Sequence, residues 1–179
     1  NKLFLYYQND YFAECVFILN FIKSDSNTKL PTYTMKESFY SHGKLLLTGE
    51  YLVLDGAKGL ALPTKLGQWL TVENHEDNSI LWTSFDENNE VWFKEEFYIK
   101  DDSVQVKPDD KRSEEYQKLS DTLIDILNCA RELNPKFLSG NKGVWVKTKL
   151  EFNRNWGLGS SSTLINNIAQ WAVIDGFKL

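Results

Sequence analysis

Asn153-Arg154-Asn155-Trp156-Gly157-Leu158-Gly159-Ser160-Ser161-Ser162-Thr163-Leu164 is the stretch on which the reading of this chain turns. Before it, residues 143–152 read as a strand, with Val144, Val146, Thr148 and Leu150 on one face. After it, residues 160–175 read as a helix: Leu164, Ile165, Ile168, Ala169 and Ala172 fall on one side, and Gly176 follows. Two glycines and four hydroxyl residues join the two. Glycine reaches dihedrals that other residues avoid and lets a ligand approach the main chain. The first turn of a helix carries N–H groups without intrahelical partners, at the positive end of its dipole. Together these make an anion site, where hydroxyls add donors to phosphate or oxygens for magnesium. The same letters also fit an ordinary flexible loop with a serine cap. Two common phosphate loops are excluded. No lysine follows the glycines, as the Gly-x4-Gly-Lys-Ser/Thr loop requires, and the third glycine of the dinucleotide fingerprint is absent.

The chain has 179 residues, enough for one domain or slightly more, and its 42% hydrophobic and 25% charged residues let it bury a core and stay soluble. A net charge of -5 with no long basic run argues against nucleic acid as a partner. Cys15 and Cys129 form neither a metal pattern nor a disulfide framework, so a cytoplasmic location is expected. His42 and His75 are too few and too far apart for a metal cluster. Residues 1–34 are rich in Phe, Tyr, Asn, Ile and Lys, and the sole methionine is Met35. They read as a non-native upstream extension or linker, with the domain over 35–179. Rival readings are a targeting segment interrupted by Asp10 and Glu14, or a helix with Phe12, Val16, Leu19 and Ile22 near one face. Residues 24–34, polar with Pro31, read as a linker.

From Lys36 onward strand signals dominate. Residues 37–42 alternate until Gly43, and 44–47 form a second run headed by a lysine. The apolar run 52–54 closes on an Asp55-Gly56 turn, and 60–63 is another short element. Residues 68–73, 79–84 and 90–99 read as strands linked by turns at Asp77-Asn78 and at 86–89. Trp69, Trp82, Trp92 and Phe97 are expected on sheet faces. Residues 109–134 read as a helix through Tyr116, Leu119, Leu123, Ile126, Leu127, Ala130 and Leu133, stopped by Pro135.

Two stretches together resemble one family. Gly43-Lys44-Leu45-Leu46-Leu47-Thr48-Gly49-Glu50-Tyr51-Leu52-Val53-Leu54-Asp55-Gly56 resembles the first motif of the GHMP kinases, and Gly157-Leu158-Gly159-Ser160-Ser161-Ser162 resembles their second. The order and separation also agree. The Gly-Glu-Tyr form is similar to the mevalonate kinase and phosphomevalonate kinase branch. Asn153 stands where the family's second motif usually opens with Pro, and Ser162 where it usually has Ala. The likeness spans 35–179, about the first half of a typical member.

The resemblance implies an α/β (α+β) chain, the family's N-terminal domain with a ribosomal protein S5 domain 2-like fold: a mixed sheet with helices on one face. It implies an ATP-dependent kinase passing the γ-phosphate to a hydroxyl or phosphate of mevalonate or phosphomevalonate, an isoprenoid precursor step, with ATP and magnesium as cofactors. Gly157, Leu158, Gly159, Ser160, Ser161 and Ser162 would hold the phosphates. Ser161 would ligate magnesium, with Ser160 as runner-up. Lys44 would be the catalytic lysine beside the acceptor, and Glu50 and Tyr51 would line the acceptor pocket. Trp156 would border the adenine or simply pack the loop. Without the motif, Lys44 reads as a surface lysine at a strand end, and Glu50-Tyr51 as a polar turn. The expected partner is a small-molecule substrate, not nucleic acid or a membrane, and a homodimer stays open. Alternatives are a diphosphomevalonate decarboxylase-like enzyme and a non-catalytic ligand-binding relative. The family's aspartate, second magnesium carboxylate and third glycine motif follow the second helix, so the chain is expected to be an inactive fragment on its own.

Overall fold

Alternating strands build one sheet, seen in a computed structural model that describes residues 36–49, 58–106, 108, 112–140 and 142–179. The expected extension at 1–34, Met35, Glu50, Tyr51, the run 52–54 with its Asp55-Gly56 turn, and 109–111 lie outside the described residues. The strands are β1 (Lys36–Thr48), β2 (Leu60–His75), β3 (Ile80–Phe85), β4 (Val91–Lys100), β5 (Ser103–Val106) and β6 (Gly143–Leu150). Their order is β1-β2-β6-β3-β4-β5. Neighbours are antiparallel except β3 and β6, which run parallel from Ile80 opposite Val144 to Phe85 opposite Lys149.

The central strand β6 shows why one face is covered. Val144, Val146, Thr148 and Leu150 are buried while Trp145 and Lys147 are exposed, the period-two pattern of a half-buried strand. The buried faces of the strands pack with helices α1 (Glu114–Leu133) and α2 (Ser160–Ala172) in one core that includes Leu70, Trp82, Phe97, Leu127 and Ile168. A mixed sheet with helices on one face is therefore observed. Trp82 and Phe97 pack on the buried face as expected, and Trp69, though half exposed, packs against the Tyr40 ring with centroids 4.6 Å apart.

Four boundaries differ from the sequence reading. Gly43 does not end a strand. The register slips there, from His42 opposite Gly67 to Lys44 opposite Pro63, and β2 carries the excess at Thr64–Leu66. The short element at 60–63 and the strand at 68–73 are thus one strand, continuous through a bulge. Strand β5 was not expected. Its pairing with α1 explains it: Val104 is buried, its N–H donates to Asn128 Oδ1 (2.7 Å), and Asn128 Nδ2 donates back to Val104 O (3.3 Å). Helix α1 starts at a Ser113 cap, whose hydroxyl accepts the Tyr116 N–H at 3.2 Å, with Glu114 and Glu115 at the positive end. Helix α2 stops at Val173, left-handed with φ 54°, before Gly176. Asn134 Nδ2 donates to its last carbonyl, Ala172 O, at 2.7 Å.

Candidate anion site

The loop after β6 prepares a helix N-terminus that no side chain of the described residues caps. Residues Arg154–Trp156 make one 3-10 turn, capped by Asn153, whose Oδ1 accepts the Asn155 N–H at 3.0 Å. Gly157 and Gly159 are both left-handed, with φ 68° and 77°. Gly159 is the residue before α2, and no side chain caps that end. The first helical bond runs from Thr163 N–H to Gly159 O (3.0 Å), so the N–H groups of Ser160, Ser161 and Ser162 have no partner inside the helix. Ser161 and Ser162 are exposed and Ser160 half-buried. A Cβ on Gly157 would meet nothing within 4 Å.

The first motif meets this loop directly. Lys44 N–H donates to Leu158 O at 2.9 Å. Gly43 lies so close that a Cβ there would sit 3.1 Å from Leu158 O and 2.7 Å from Thr64 Oγ1. The Lys44 stem runs past Gly159: a Cβ on that glycine would fall 3.2 Å from Lys44 Cγ and 3.3 Å from its Cε. Lys44, Gly157, Leu158, Gly159, Ser160, Ser161 and Ser162 are therefore assembled at one place. Glu50 and Tyr51 are outside the described residues.

A buried polar network holds α2 on the sheet, and the sequence reading missed it. Thr163 and Asn167, both buried, share the apolar side of the helix. The Thr163 hydroxyl donates to Gln68 Oε1 at 2.6 Å, Asn167 Nδ2 donates to Gln68 O at 2.9 Å, and Ser41 Oγ donates to Asn167 Oδ1 at 2.7 Å. The available signal was Ser41 and Gln68 at inward positions of two strands, facing polar residues four apart on a helix.

Two further features flank the loop. A cavity of about 140 Å³ between the sheet and both helices is lined by Trp82, Trp92, Leu123 and Leu164, and reaches Ser160 and Ser161. The buried Trp92 Nε1 has no hydrogen-bond partner among the described residues. Trp156, for which a place beside the adenine and simple loop packing were both open, is 63% exposed and lies outside this lining. On the strand side, Glu151 accepts from Tyr40 hydroxyl (2.8 Å), Gly67 N–H (3.0 Å) and Trp69 Nε1 (3.1 Å). Burial alone would raise the Glu151 pKa. The three donors, with His42 nearby, outweigh it and hold the carboxyl below its ordinary value. Burial, then the hydrogen bond and charge of Glu151, push the Tyr40 hydroxyl up to about 12.

The donor set fits a polyphosphate: amides without a partner inside the helix, hydroxyls, a lysine whose stem passes Gly159, and no Cβ at Gly157 or Gly159. For magnesium it offers the Ser160 and Ser161 hydroxyls. Among the described residues no group of three or more His, Cys, Asp or Glu side chains could hold a metal. A magnesium ion here would take its other ligands from phosphate and water, its usual habit. Among the described residues no helix is long and apolar enough to cross a membrane.

No family model matches the chain, and no curated protein matches it. Among solved structures, the mevalonate kinase of Methanococcus jannaschii matches with a TM-score of 0.48 and 16% identity, over 80% of this chain. The chain spans 41% of that enzyme's length.

Proposed function

We propose that this chain is the phosphate-binding part of an ATP-dependent small-molecule kinase of GHMP type, acting on mevalonate or phosphomevalonate. The observation that carries the reading is the hydrogen bond between the two motifs, Lys44 N–H to Leu158 O, with the Lys44 stem against Gly159. Residues so far apart in sequence have no local reason to meet, and they meet where a triphosphate would lie. The amides of residues 157–162 bind phosphate oxygens, reinforced by the dipole of α2. The base enters the cavity beside Ser160 and Ser161. Lys44 offsets charge on the transferring group and lowers the pKa of an acceptor hydroxyl. Ser161, with Ser160 beside it, would hold magnesium, which would supply positive charge to offset that of the phosphates.

Calorimetric titration of the 179-residue chain tests the site: ATP and inorganic tripolyphosphate should both bind, and Lys44→Met should weaken both. A chain that takes up neither ends the reading. A panel of mevalonate, phosphomevalonate and diphosphomevalonate with ATP and the protein then chooses the acceptor. Carbon dioxide release would replace the kinase with a decarboxylase.

A further inference from the structure

Asn153 is one of the two positions at which the second motif departs from the pattern it resembles, and both ends of its side chain are engaged. Its Oδ1 caps the 3-10 turn, and its Nδ2 donates to Glu87 Oε1 at 2.8 Å. Glu87 belongs to the turn between β3 and β4. Lys149 Nζ donates to Glu87 O at 3.2 Å from the end of β6. One residue after Asn153, the Arg154 guanidinium lies 3.6 Å from the centroid of Trp92 on β4. The turn that receives these contacts is itself braced: Asp86 Oδ1 accepts from Asn88 N–H (2.9 Å) and Glu90 N–H (2.8 Å). Arg154, Asn155, Trp156 and Gly157 are all exposed, and of these Arg154 is braced by its stacking on Trp92.

We infer that Asn153 and Glu87 form a clasp through which the β3–β4 turn positions the first half of the phosphate loop. The inference rests on the phosphate-loop reading. Helix α2 is held by its buried network, and Leu158 by Lys44. The segment 153–157 between them is tied down by the clasp at its start, beside the Arg154 contact with Trp92. Losing it leaves that segment to be ordered when the anion binds, which weakens binding without removing a ligand contact. Both are positioning residues.

The test exploits a difference in sign. A carboxylate that is merely near an anion site repels the anion, so its removal strengthens binding. A carboxylate that holds the loop does the reverse. Glu87→Ala should weaken inorganic tripolyphosphate by about threefold to tenfold, the worth of one hydrogen bond. Glu87→Gln keeps an acceptor for Asn153 and should restore the affinity. Asn153→Ser keeps a cap and loses the Nδ2 donor. It should match Glu87→Ala, with no added loss in the double variant. Thermal melts of all variants check that the fold is intact. If the unaltered chain binds tripolyphosphate and Glu87→Ala leaves or improves that affinity, the clasp is wrong and the loop reading stands. If the unaltered chain binds none, the loop reading fails and the clasp's role fails with it.

Discussion

At the scale of single residues, the two loop glycines are unequal. Both are left-handed, so alanine at either is strained by about 1 kcal/mol or more. Around Gly157 there is open space, whereas at Gly159 a Cβ meets the Lys44 stem. Gly157→Ala should therefore lower stability with a modest effect on tripolyphosphate affinity. Gly159→Ala should lower both, because Lys44 must move. Chemical denaturation paired with calorimetry separates the two, and equal affinity losses would contradict the geometry. Glu151 and Tyr40 supply a pH dependence from the same region. A carboxyl held below its ordinary value stabilises the fold above its unfolded pKa, and that contribution is lost as pH falls through the folded value. Tyr40 is raised to about 12, so its contribution is complete below its unfolded value near 10 and is lost as pH rises toward 12. Tyr40→Phe should cost about 1 kcal/mol at neutral pH. It should also move the acid limb of the stability curve to higher pH and flatten the alkaline limb. A pH–melting profile identical to that of the unaltered chain would remove the pair from the account.

At the scale of elements, what was legible followed from local periodicity. Strand β6 and helix α2 declare themselves through alternating Val144, Val146, Thr148, Leu150 and through Ile168, Ala169, Ala172, all buried as their spacing requires. The glycine loop between them was legible because glycines and hydroxyls are needed for a backbone reason. Long-range pairing was not legible. The bulge opposite Gly43 is decided by β2, and β5 by an asparagine on α1, neither of which alternation within a strand can reveal. The polar attachment of α2 escaped for the same reason. Thr163 and Asn167 look like solvent-facing residues until Ser41 and Gln68 are brought beneath them. Asn167→Ala leaves Ser41 and Gln68 O without that partner in a buried place. It should destabilise by about 1–3 kcal/mol, the usual cost of an unsatisfied buried group. Because the network sets where the amides of Ser160–Ser162 point, tripolyphosphate affinity should fall as well. Urea unfolding with a change below about 0.5 kcal/mol would place the hold on α2 in the apolar core instead.

At the scale of the molecule, the loop lies where two parts of one sheet meet. Strands β1 and β2 are at one edge, and β6 leads from the centre into α2. Nearest the helix N-terminus, the edge is tied to the loop by the Lys44–Leu158 bond beside Gly43. An anion held by the amides of α2 and the Lys44 ammonium would add a further tie across the same seam. Binding to the folded state alone stabilises it by about 2.7 kcal/mol at a hundredfold excess over the dissociation constant. For a chain of this size each kcal/mol moves the melting temperature by about 2–4 °C, so the shift should be on the order of 5–10 °C. Tripolyphosphate and ATP should both produce it, whereas adenosine, which lacks the phosphates, should produce little. The shift should shrink in Lys44→Met, which loses the tie, and in Gly159→Ala, which displaces the same stem. It should also shrink with added salt, since the loop and Lys44 are solvent-facing and their attraction for an anion is screened. A shift with adenosine and none with tripolyphosphate would move the binding energy out of the loop and into the cavity beside Trp92. The seam between β1 and α2 would then be a packing joint without a ligand.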